Sequence, residues 1–128
     1  MFDSHDERGD LLDQARLLLH TAEEMLRAGL AEEAIADSFL AMLYAARAAL
    51  RGSGVESTGW DDVQVRFQSD ALPGLGLSKA NQRSLPIVSD LYMRVVGSGE
   101  MEADPQTAGA CLEDARSFVV EVDAKLED

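Results

Sequence analysis

The side chains most able to do chemistry in this chain are few: His5, His20, Cys111 and a sparse set of arginines. Arg16 and His20 are four residues apart, which on a helix puts them on one face. Histidine is the usual acid or base near neutral pH, and arginine the usual partner of phosphate. A lone histidine on an outer helix face is more often plain polar surface. One cysteine and two distant histidines do not make a zinc site. Glu23-Glu24 and Glu32-Glu33 lack the Glu-x-x-His companions of a bundle di-metal site and read as solvated helix-end charges. Gly74-Leu75-Gly76 lacks the Lys-Ser/Thr and the preceding strand of a phosphate loop. These residues predict no cofactor and no metal.

A second grouping is basic and aromatic. Arg47 and Arg51 stand one helical turn apart, with Tyr44 one turn earlier. Arg83, Tyr92 and Arg94 stand on a later helix. Together they form a candidate binding spot for a nucleotide or an acidic peptide, with Tyr92 as a stacking residue. The competing reading is that Arg47 and Arg51 serve the helix C-terminus and pair with acids from the chain ends. Met42, Met93 and Met101 read as core filler or loop residues, and Trp60 as a buried anchor.

The charge distribution limits the partners. The net charge is −13. Residues 1–34 carry −6, residues 35–99 carry zero, and residues 100–128 carry −7. Nucleic-acid binders usually show a basic face. Here the ends repel phosphate, so RNA or nucleotide is disfavoured; the acidic ends read first as a solvated surface that keeps the chain in solution, and second as a docking face for a basic partner. No apolar run approaches the roughly 20 residues of a membrane span. With no secretory signal and a single cysteine, the expected location is the cytoplasm.

The elements that must position these residues are helices. Alanine, leucine, glutamate and arginine dominate, and the apolar residues recur at steps of three, four and seven. Residues 1–9 are expected to fray. A first helix over 10–28 carries the stripe Leu11, Ala15, Leu18, Ala22, Met25, widened by Leu12, Leu19 and Leu26, with Asp10 as its cap and Gly29 as its stop. The second covers 31–51. It is alanine-rich, so a neighbour can approach closely, and Gly52 and Gly54 end it. A short third helix over 60–71 shows Trp60, Val63 and Phe67 on one face, and residues 72–76 read as a break. The fourth runs from Ser78 to residue 96, with Pro86 marking a kink or a later start. Asp104-Pro105 opens the last helix, a capping acid followed by proline. It carries Ala108, Leu112, Ala115, Val119, Val122 and Leu126. The fold class is all-α: an up-and-down antiparallel bundle of four long helices plus one short helix, over residues 10–128.

In this order and spacing the chain resembles the compact prokaryotic branch of the HEPN domain family. The residues that carry the likeness are AEEMLRAGLAEEAIADSFLAMLYAARAALRGSG over 22–54, and AxxxLEDARSFVxxV over 108–122. The resemblance implies a homodimer. It implies a ribonuclease or toxin, often paired with a minimal nucleotidyltransferase as antitoxin. Catalytic members carry an arginine, four to six residues, then a histidine on a late helix. Here that helix reads SDLYMRVVGSGE over 89–100, with Arg94 and no histidine, and Trp60 fills a region where relatives often place another. The expected function is therefore a non-catalytic binding module. The alternatives are a ribonuclease with a rearranged site built from Arg83, Arg94 and Tyr92, or a structural adaptor that docks a basic protein.

Overall fold

The computed structural model describes the backbone of residues 4–127 and the side chains of residues 7–127. The described residues hold six α-helical segments and no strand. They are α1 (Ser4–Arg27), α2 (Ala31–Gly52), α3 (Trp60–Arg66), α4 (Leu72–Leu75), α5 (Lys79–Tyr92) and α6 (Pro105–Glu127). A π-helical turn, Phe67–Ala71, joins α3 to α4, and another, Met93–Gly97, extends α5. The chain is an all-α helical bundle.

Helix α2 is its axis. Thirteen of its residues are buried, from Ala31 to Leu50. Seven of the thirteen are alanines, and this lack of bulk lets α1, α3, α5 and α6 all pack against it. Helix α1 buries Leu12, Ala15, Leu19 and Ala22, while Leu11, Leu18, Met25 and Leu26 flank that line. Helix α6 buries Ala108, Cys111, Leu112, Ala115, Phe118, Val119 and Val122. Phe118 meets Phe67 of the first π turn edge-on, with ring centroids 5.6 Å apart.

The helix ends show which local signals held. Gly29 takes φ of 81°, a left-handed residue that closes α1 through hydrogen bonds from Gly29 and Leu30 to the carbonyls of Leu26 and Met25. Ser78 caps α5, its hydroxyl accepting from the Asn81 N–H at 3.3 Å. Asp104 caps α6, accepting from the Thr107 N–H at 2.7 Å. These three match the sequence expectation.

Four details differ. Helix α1 begins at Ser4, so Asp10 lies inside it and does not cap it. Residues 1–3, part of the segment expected to fray, lie outside the described residues. Gly52 belongs to α2, and Gly54, with φ of 78°, is the left-handed residue beyond it. The break expected over 72–76 is confined to its last residue. Leu72–Leu75 stays helical because Pro73 sits in a first turn, where its missing N–H is not needed, and Gly76 then turns left-handed at φ of 72°. Pro86 does not delay α5, which runs through it from Lys79. Pro86 and Gln82, whose carbonyl loses its helical donor, are both exposed, so water can serve that carbonyl.

A groove between the second, third and fifth helices

Helix α2 reaches solvent along one stripe, and part of that stripe is the floor of a groove of about 660 Å³. Ala36, Asp37, Phe39, Leu40 and Leu43 form the floor. Trp60, Asp61, Gln64 and Val65 of α3 form one wall. Ser89 and Tyr92 of α5, with Met93 of the second π turn, form the other.

The walls stand where they do for local reasons. Trp60 is the first residue of α3, and the first-turn acids Asp61 and Asp62 suit the positive end of that helix. Asp62 accepts a hydrogen bond from the Ser57 hydroxyl, which with Arg66 holds its carboxyl below the usual range. That pair fixes the loop leading into α3. Trp60 meets Tyr44 edge-on at 5.1 Å, and Tyr92 leans on Phe39 at 4.9 Å. Both ring pairs tie a wall to the floor. The π turn after Tyr92 leaves Met93 at the lip, 56% exposed, opposite Val65 at 68%.

The groove is apolar with two carboxylates. Burial, with Glu33 nearby, pushes the Asp37 carboxyl above its ordinary value. Asp37 makes no hydrogen bond or ion pair among the described residues. It is also the one charged residue between Glu33 and Arg47, a sequence signal that could have drawn attention to it.

Of the residues singled out in the sequence, Tyr92 lines the groove and Tyr44 braces its Trp60 wall. Arg47, one turn beyond Tyr44, is half-buried, and its Nε is buried with no hydrogen-bond partner among the described residues. Arg51 is largely buried, held by Glu7 of α1 and by Glu56 at 2.8 Å. Arg83 is exposed on α5. Arg94 pairs with Asp90 at 3.1 Å. The groove lining contains none of these four arginines. Arg16 is engaged by Asp13 at 2.6 Å and by Asp123 of α6 at 2.7 Å. His20 is 68% exposed, its Nε2 lying 3.6 Å from Glu24. The His5 side chain lies outside the described residues.

A helical bundle built around a small-residue second helix has a counterpart among known families. The HEPN domain model matches residues 9–125. The chain belongs to the HEPN domain family. This HEPN chain also has the fold of TT1696 from Thermus thermophilus, known from a crystal structure. The TM-score is 0.79 at 17% identity, covering 92% of this chain and 97% of that one. At that identity the likeness speaks for the fold alone. No curated protein matches the chain. The described residues of this HEPN domain contain no group of three His, Cys, Asp or Glu able to hold a metal. Among them no helix is long and apolar enough to cross a membrane.

Proposed function

We propose that this HEPN domain works by binding, without nuclease chemistry, and that the groove on α2 is its binding face. The observation that carries this reading is the groove's ionisable lining: Asp37, Asp61 and Tyr92, with no histidine and no arginine. RNA cleavage needs a group to move the proton of the 2′-hydroxyl and a cation to hold the charge on phosphorus. Two carboxylates without a cation repel the phosphodiester instead. The late helix has Arg94, but it pairs with Asp90 at 3.1 Å on the exposed surface and does not line the groove. The Tyr92 ring packs on Phe39.

The domain acts as a homodimer in this reading, and its wider partner is a minimal nucleotidyltransferase of the kind that accompanies many HEPN proteins. The acidic chain ends support that part. Helices α1 and α6 pack side by side, so the charges of the two ends share one side of the bundle and suit a basic protein surface. Incubation of the purified protein with labelled RNA tests the first part. No cleavage is expected from the wild type or from Arg94→Ala. Reproducible cleavage that Arg94→Ala abolishes would overturn the reading in favour of a rearranged nuclease.

A further inference from the structure

The charges that line the groove on α2 are of one sign. Asp37 stands on the floor and Asp61 on a wall, and the lining holds no lysine, arginine or histidine. Neither carboxylate makes a hydrogen bond or ion pair among the described residues. Their settings differ. Asp61 is exposed in the first turn of α3, where the positive end of the helix dipole offsets its charge. Asp37 lies beyond the first turn of α2 and is half-buried, with Glu33 adding repulsion. Taking a carboxylate partly out of water without a counter-charge costs free energy. The rings of Phe39, Trp60 and Tyr92 belong to the same lining. Aromatic ring faces are negative, so they favour a cation as the carboxylates do.

The size of the groove points to a small molecule. Its volume of about 660 Å³ falls in the range of small-ligand sites, about 300–1,000 Å³. Of the large apolar side chains exposed on the described surface, only Val65 and Met93 belong to it. Others, such as Leu17 of α1 and Val120 of α6, stand on other helices. The lips are therefore not part of a broad apolar face, such as a stable protein contact covers with about 800 Å² a side.

We infer that the groove takes a small organic ammonium with an apolar body, its charge at Asp37 and its body between Trp60 and Tyr92. This inference rests on the reading of the groove as the domain's binding face and names the class of its ligand. The ammonium supplies the counter-charge that Asp37 lacks. The apolar body displaces water from the floor at Leu40. The Gln64 carbonyl and the Ser89 hydroxyl, one on each wall, can accept further N–H donors. An anion meets two carboxylates and no cation. Burial and Glu33 already raise the Asp37 carboxyl above its ordinary value, and a bound cation would act in the opposite direction.

Trp60 is the one tryptophan of the chain, so its emission reports on the groove directly. The test titrates the full chain near pH 7 with probes of similar shape: 2-phenylethylamine as the cation, 2-phenylethanol as the neutral body and 3-phenylpropanoate as the anion. The amine should change the emission saturably and bind at least about tenfold more tightly than the alcohol, and the anion should not bind. Asp37→Asn keeps the shape and removes the charge. It should weaken the amine about tenfold and leave the alcohol unchanged. Circular dichroism checks that the variant folds. Raised salt needs no variant and should weaken the amine but not the alcohol. Equal affinities for amine and alcohol, or an Asp37→Asn variant that binds the amine as the wild type does, overturn the inference and leave the groove as a binding face. No saturable change with any probe overturns the inference and the groove's place in the binding reading together. Emission that shifts when the protein alone is diluted means that a second copy fills the groove. A capped tripeptide with lysine between two leucines that binds more tightly than the amine assigns the groove to a partner chain. Each of these last two results also overturns the inference. RNA cleavage enters none of these outcomes, so the non-catalytic reading stands or falls separately.

Discussion

Arg116 of α6 donates to Glu23 of α1 at 2.7 Å, across the seam between the two most acidic stretches of the chain. Arg16 of α1 reaches Asp123 of α6 at the same distance, so each helix lends the other one base. The two ends carry −6 and −7 with these two arginines already counted, so the crossings leave that excess of negative charge unmatched. Both pairs are partly exposed, where an ion pair is worth about 0–1 kcal/mol. The expected outcome has two parts. Arg116→Ala should lower stability by about 0.5–1 kcal/mol. Added salt should raise the wild-type melting temperature, because the unmatched acids outnumber the pairs and the Debye length shrinks to about 8 Å at physiological strength. Thermal melts across a salt series check both. A flat or falling trend would mean that the pairs outweigh the repulsion.

Glu121 of α6 accepts from the Asn81 side chain at 2.8 Å and from the Ser78 N–H at 2.9 Å. These bonds hold its carboxyl below the ordinary value of 4.5. A carboxylate whose pKa is lowered on folding adds stability above the unfolded value, and loses it as pH falls through the folded one. The wild type should therefore melt above Glu121→Gln near pH 7, and the gap should close as the pH drops below about 4.5. A gap that is unchanged at low pH would show that the charged form contributes nothing.

Cys111 is buried on α6, and burial pushes its thiol up to about 12. The thiolate is the reactive form. The native protein at pH 8 should therefore react with a disulfide reagent far more slowly than the denatured chain. Equal rates would mean that α6 opens readily from the core.

Gly29 closes the turn between α1 and α2 at φ of 81°, and a Cβ there would meet nothing within 4 Å. Gly29→Ala therefore isolates the backbone term, about 1–2 kcal/mol for a left-handed residue that is not glycine. Denaturant titration should show a lower midpoint with an unchanged slope. A neutral result would mean that the turn relaxes at no cost.

The sequence by itself determined the helices. Their signals are local: a 3.6-residue period, a capping Ser78, the Asp104-Pro105 start and the glycines at 29 and 54. Each acts within a turn or two of chain, so a one-dimensional reading recovers it. Where two local signals competed the reading slipped, as at Asp10, which could cap but lies within a longer helix, and at Pro73, tolerated in a first turn. The candidate site was legible only in part. Tyr44, Arg47 and Tyr92 could be picked out by type, but their surroundings could not. Packing decided that Arg51 is claimed by Glu7 of α1 and that Arg47 is left without a partner among the described residues, whereas the pairing of Arg94 with Asp90 is a local one-turn contact. It also decided that Asp37 and Trp60 share a groove with Tyr92. The pairs that cross the acidic seam join residues 93 and 107 positions apart. Periodicity tells which side of a helix is apolar. Which neighbour covers that side, and which stripe stays open, depends on how all the helices fill one shared volume, and only the tertiary structure sets that.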